Sequence, residues 1–122
     1  MTSRHYQSLT RDITDKLGSL RSGLPQVMQS FGALGKAAMA GGALEPKTKE
    51  LIALGIAVAA RCDGCIGFHS QALVRMGATP DELREVLGVA VYMGGGPSLM
   101  YAANAIAAYE EFSAAHAAGQ AA

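Results

Sequence analysis

Cys62, Cys65 and His69 stand in the run Arg61-Cys62-Asp63-Gly64-Cys65-Ile66-Gly67-Phe68-His69, and the two cysteines are the chain's only ones. Spacings of three and four residues place all three side chains on one face of a helix. A thiolate forms near neutral pH beside a positive charge or at a helix N-terminus, and a second thiol turns it into a reversible redox couple. The run offers each of these, so dithiol redox chemistry is the leading expectation.

His69 falls one turn beyond Cys65, within reach of its sulfur as a base or imidazolium partner, whereas Cys62 lies nearly two turns away. Cys65 is therefore the expected attacking thiol and Cys62 the resolving one. Gly64 between them eases close approach of a substrate or partner backbone.

A histidine in this role is oriented by a carboxylate. Asp63 is near in sequence but points to another face, and Glu50 fits better. At 1.5 Å per residue, Glu50 lies roughly 15 Å before the end of its helix, and His69 roughly 12 Å along the next. If the second helix doubles back, a Glu side chain or one bridging water spans the difference. Glu50 is also the last charge before an apolar stretch, where desolvation suits a carboxyl to proton transfer.

The elements that must position these groups are six helical stretches, with no alternation of the strand kind. The first runs from Ser3 to about Leu20 and carries Tyr6, Leu9, Ile13, Leu17 and Leu20, ending near Gly23. Pro25 opens a second to about Ala40, with Val27, Met28, Phe31 and Leu34 expected inward. Gly41-Gly42 breaks it, and Pro46 starts a third to about Ala60. That helix is apolar nearly all round after Glu50, the pattern of burial on most faces.

A fourth helix is expected from near Cys62 to Met76, with Gly77 as its stop. Thr79-Pro80-Asp81-Glu82 reads as a capping box opening a fifth, to about Met93. Gly94-Gly95-Gly96 ends it; with no lysine or strand beside it, a phosphate loop is not indicated. Pro97 opens a sixth to about Ala117, carrying Leu99, Met100, Ala103, Ile106 and Ala107. The Ala-rich tail from Ala114 is expected to fray. Residues 1–122 thus read as a single all-α domain.

Composition narrows the function classes. Lys and Arg balance Asp and Glu at ten each, which leaves no electrostatic footprint for nucleic acid or an anionic membrane. Only 16% of residues are charged against 50% hydrophobic, less polar cover than a small monomer carries, so a subunit interface is expected. No apolar run reaches the ~18 residues of a membrane span. Met1 to Tyr6 lacks the apolar stretch of a secretory signal, so a cytoplasmic setting is expected, where a thiol pair is more often catalytic or metal-binding than a structural staple.

Other readings stay beside these. Two free cysteines can be small core residues. Zinc would need a fourth ligand, from His5 or His116, both of which read as surface residues. A c-type haem would need a histidine where Ile66 stands. Phe68, Tyr92, Met93 and Tyr101 read as core, with pocket lining as the lesser expectation.

Glu50, eleven residues, then Cys62-x-x-Cys65-x-x-x-His69 resembles the motif of the alkylhydroperoxidase D-like (AhpD-like) family, within the carboxymuconolactone decarboxylase-like superfamily. The resemblance extends from about Gly35 to Gly95. It implies an all-α, oligomeric AhpD-like bundle, a trimer or hexamer of small subunits, that reduces alkyl hydroperoxides without a cofactor. It also implies a peroxidatic Cys65, a resolving Cys62, Glu50 and His69 in a proton relay, and resetting by an external dithiol such as a lipoyl group.

The best-studied branch has a relay histidine where this chain has Gly64. Two other functions remain open. One is a cofactor-free decarboxylase or lactone-processing enzyme, which would not need the cysteines. The other is a redox-responsive oligomeric protein without turnover.

Overall fold

The computed structural model describes residues 5–119. Six helices follow one another: α1 (His5–Gly23), α2 (Pro25–Met39), α3 (Pro46–Ala59), α4 (Asp63–Arg75), α5 (Pro80–Gly94) and α6 (Gly96–Ala117). Among the described residues there is no strand, and no helix is long and apolar enough to cross a membrane. The expected start at Ser3, and the tail beyond Gly119, lie outside the described residues.

Local chemistry accounts for most boundaries. Pro25, Pro46 and Pro80 are the first residues of their helices, where a missing N–H costs nothing. Thr79 and Glu82 close a full capping box: the Glu82 N–H donates to Thr79 Oγ1 at 3.1 Å, and the Thr79 N–H donates to Glu82 Oε1 at 2.9 Å. Gly77 takes φ +77° and lets the Ala78 N–H return to the Leu73 carbonyl at 3.0 Å, which stops α4.

The core lies between α3, α4, α5 and α6, on Leu54, Val58, Ile66, Leu73, Leu87 and Phe112. The faces of α6 invert the expectation its large residues raise. Its small residues, Ala102, Ala105 and Ala108, are buried, while Leu99 and Met100 are 52% and 62% exposed. Small side chains let α6 sit close to its neighbours, so the tight contact uses Ala and leaves the bulky stripe outside. The tail does not fray where expected: α6 continues to Ala117, and Ala115 is buried.

α2 corrects a second expectation. Of Val27, Met28, Phe31 and Leu34, only Met28 is half-buried, and α2 has no fully buried residue. Helical spacing marks an apolar stripe without saying what covers it, and within the protomer nothing covers this one. α3 buries Leu54, Ala57 and Val58 but turns Ile52 and Ile56 outward, so it is not enclosed on most faces either.

α1 lies directly on α4. A Cβ on Gly67 would come within 2.6 Å of Thr10 Cγ2, and one on Gly64 within 2.9 Å of Ile13 Cδ1, so the two glycines, one turn apart, make room for α1. Buried Glu111 of α6 fastens its start, accepting from the N–H groups of Tyr6 (3.0 Å) and Gln7 (2.7 Å). A carboxylate there satisfies orphan donors and complements the helix dipole.

Candidate functional site

The turn between α3 and α4 sets the cysteines. Ala60 ends α3 in the right-handed helical region and Arg61 takes φ +58°. The Arg61 N–H then donates to the Val58 carbonyl at 3.1 Å, and the Cys62 N–H to Ala57 at 3.0 Å. This paired closure is the Schellman turn, with arginine at the position glycine usually fills. It delivers Cys62 as the N-cap of α4, where its Sγ accepts the Cys65 N–H at 3.2 Å. Cys62 and Cys65, with Cα atoms 5.3 Å apart, are joined as a disulfide.

Glu50 and His69 meet as the two-helix register predicts. α4 doubles back along α3, and His69 Nδ1 lies 2.7 Å from Glu50 Oε1, close enough that no bridging water intervenes. The Glu50 side chain is 12% exposed and that of His69 32%, so the carboxylate is the inner member and the imidazole the outer. The disulfide and His69 open together on a cleft of about 240 Å³, whose other wall is α3 at Ala53, Ile56, Ala57 and Ala60.

Asp63 belongs elsewhere, as expected. Its Oδ1 accepts the Tyr6 O–H at 2.6 Å and the Asn104 Nδ2 at 3.5 Å. Burial first, and then the hydrogen bond to Asp63, hold the Tyr6 hydroxyl well above its ordinary value, so it stays a donor. This Tyr6–Asp63–Asn104 cluster ties α1 and α6 to the first turn of α4. Sequence reasoning missed it, because its members lie 57 and 41 residues apart.

Gly64 is half-buried, and the Ile13 side chain of α1 stands against it on the side where a Cβ would lie. A Cβ at this position would push against the end of the Ile13 side chain, so a residue with a side chain here requires Ile13 to shift. The aromatic and methionine residues also fall differently from the core reading. Tyr92 and Met93 are 86% and 73% exposed. Tyr101 packs against the core, and Phe68 faces a separate pocket of about 270 Å³ beside α1. His5 and His116 are exposed, and no metal-binding set of three His, Cys, Asp or Glu forms among the described residues.

The fold and the sequence have counterparts. A protein from Legionella pneumophila of the carboxymuconolactone decarboxylase family, crystallised in its apo form, superposes with a TM-score of 0.89 at 57% identity, over 90% of this chain and 98% of that one. A Thermotoga maritima member, for which a part in the antioxidative response has been suggested, gives 0.81 at 28% identity, over 92% and 96%. An uncharacterized protein of Cupriavidus necator is 40% identical over 103 residues, 84% of this chain and 91% of its own. Uncharacterized protein 4 in the cox locus of Paracoccus denitrificans is 34% identical over 99 residues, 81% and 89%. The profile of the carboxymuconolactone decarboxylase family matches residues 25–108, the helices that carry the disulfide and the Glu50–His69 pair, and the chain belongs to that family.

Proposed function

We propose that this protein is a thiol-dependent peroxidase and disulfide oxidoreductase. It reduces alkyl hydroperoxides through Cys62 and Cys65, with Glu50 and His69 as the proton relay. The observation that carries the reading is the shared cleft: a half-buried cysteine pair and a histidine backed by a carboxylate at 2.7 Å open on one side of α3 and α4.

Each step uses a group in that cleft. Glu50 engages His69 Nδ1, so Nδ1 carries a proton and Nε2 exchanges with the cleft. His69 takes the Cys65 proton. The thiolate attacks the outer peroxide oxygen, the O–O bond breaks, and the alkoxide leaves as alcohol with a proton returned from His69. Cys65 is then a sulfenic acid, and the Cys62 thiol condenses with it, releasing water and forming the disulfide.

An external dithiol, a lipoyl group by family analogy, supplies the two electrons that reset the pair. Attack at the Cys65 sulfur expels Cys62 as a thiolate at the N-cap, where the Cys65 N–H and the helix dipole favour an anion. The active form is a homo-oligomer, a trimer or hexamer, in keeping with its exposed apolar faces.

The test is stopped-flow oxidation of the reduced protein by tert-butyl hydroperoxide, with thiol titration and product mass. The expected result is loss of both thiols in a fast second-order step that Cys65→Ser abolishes. Oxidation no faster than that of free cysteine refutes peroxide reduction. A turnover of carboxymuconolactone-type substrates that survives Cys65→Ser would assign the decarboxylase chemistry instead.

A further inference from the structure

Asp63 puts a carboxylate inside the Cys62–Cys65 loop, where it opposes a thiolate. Cys62 is the N-cap of α4 and Asp63 its first residue, so the two side chains compete for one field. The opening N–H groups of a helix have no partner within it, and together with the dipole they favour an anion. A carboxylate that takes them raises the pKa of a neighbouring thiol, by like charge and by removing its donors.

The structure turns this carboxylate away. Asp63 Oδ1 accepts the Tyr6 O–H at 2.6 Å and the Asn104 Nδ2 at 3.5 Å, one donor from α1 and one from α6. Among the described residues no N–H of α4 donates to it, and the Cys65 N–H goes instead to Cys62 Sγ at 3.2 Å.

Tyr6 is fixed for this task. It is 3% exposed, and its ring lies on α4 at Gly67, where a Cβ would come within 3.4 Å of Tyr6 Cδ1. The Tyr6 N–H is held by Glu111 Oε1 at 3.0 Å. Burial keeps the phenol protonated, so it donates throughout the range in which a thiol ionises. Few other charges reach the cysteines. Glu50 of α3 acts through His69, Arg61 is exposed in the turn, and Glu111 of α6 is taken up by the N–H groups of α1.

We infer that Tyr6 is a positioning residue for the thiol pair: it draws the Asp63 carboxylate out of the first turn of α4 and leaves that turn's N–H groups to Cys62 when its sulfur becomes a thiolate. The consequence falls on the reset step, so its place in turnover rests on the redox reading. A dithiol attacks Cys65 Sγ, the S–S bond breaks, and its electron pair leaves on Cys62 Sγ. The second thiol of the reductant then closes its own disulfide and releases Cys65, which takes a proton. A thiol of lower pKa leaves faster, so a well-held Asp63 makes Cys62 the better leaving group.

Cys65→Ser leaves Cys62 as the only thiol, and its ionisation is followed by ultraviolet thiolate absorbance against pH. On that background Tyr6→Phe should lower the thiolate-to-thiol ratio of Cys62 near pH 7 by about three- to tenfold. Asp63→Asn should raise that ratio, and Tyr6→Phe added to Asp63→Asn should change nothing further. In the disulfide form, reduction by dithiothreitol should slow in Tyr6→Phe and be equally fast in Asp63→Asn with and without it. Lost packing alone would act the same whether or not the Asp63 charge is present. A Tyr6→Phe shift that persists in Asp63→Asn therefore overturns the proposal, as does a Cys62 pKa that Tyr6→Phe leaves unchanged or lowers. Should Tyr6→Phe fail to fold, Asp63→Asn carries the test, and a Cys62 pKa that does not fall there is equally fatal. No peroxide enters these measurements. Thiols that show this coupling yet ignore tert-butyl hydroperoxide refute the peroxidase reading and leave the positioning role standing, and peroxide-reactive thiols without the coupling do the reverse.

Discussion

α2 and α4 are helices of similar length with apolar stripes of similar spacing, yet α4 buries five residues and α2 none. α4 is held from three sides: by α1 at Gly64 and Gly67, by α3 through Glu50 and His69, and by α6 through Asn104 and Asp63. α2 has only its ends fixed. The cysteine pair and His69 sit on the helix that is packed on three sides, the setting that fixes side-chain positions best. The unheld helix leaves its apolar stripe exposed. An apolar period therefore marks a face without telling whether the rest of the chain packs on it, as on α4, or leaves it open, as on α2.

The largest expected effect falls on α4 and its partner. His69→Asn removes the acid–base group and should slow thiol oxidation by roughly 10²–10⁴-fold. Glu50→Gln should retain a hydrogen bond to Nδ1 but lose the charge, giving a smaller loss in the same rate. Rates for both variants that equal the wild type would show that the 2.7 Å pair is structural.

The contrast in burial predicts a contrast in stability. Leu73 of α4 is fully buried, so Leu73→Ala should cost about 2–5 kcal/mol in urea unfolding. Phe31→Ala on α2 should change protomer stability by less than about 0.5 kcal/mol, measured at dilutions where no assembly forms. Comparable losses at both positions would mean that α2 packs within its own protomer.

What could be read in advance follows the reach of each signal. The capping box at Thr79, the stop at Gly77 and the prolines at helix starts are local chemistry, legible within a few residues. The Glu50–His69 meeting was legible because one tight turn relates two helices, and axial rise fixes which residues come level. The Glu111 cap on α1 and the Tyr6–Asp63 bond were not, since they join chain segments 104 to 105 and 57 residues apart. The inversion of α6 escaped for a different reason: alanine carries little hydrophobic signal, yet it is what the closest helix contact selects.

Tyr6→Phe sharpens the comparison from the α1 side. It removes the 2.6 Å bond to the Asp63 carboxylate, which keeps only the longer contact to Asn104, and should cost about 1–3 kcal/mol. The loss should depend on pH with a definite sign. The folded state holds the phenol proton above its ordinary value of about 10, so above that pH it binds more protons than the unfolded chain. This contribution is complete below about pH 10 and declines as pH rises further. Urea titrations of the wild type should show that decline, and Tyr6→Phe should lack this component of it.

The smallest effect contrasts the two ends of α4 itself. The turns before and after it close by the same pair of backbone bonds, with Arg61 at φ +58° in one and Gly77 at φ +77° in the other. Left-handed backbone costs a side-chain-bearing residue about 1–2 kcal/mol, part of which a glycine's greater freedom in the unfolded chain offsets. Arg61→Gly should therefore stabilise the protein by about 0.5–1 kcal/mol, raising Tm by a few degrees. The strained residue is the one that precedes Cys62, and strain persists where a function keeps it. If Arg61→Gly raises Tm and leaves thiol oxidation unchanged, the arginine only occupies the turn. If Tm rises while oxidation slows, Arg61 acts on the reduced thiols, and the turn trades stability for thiol reactivity.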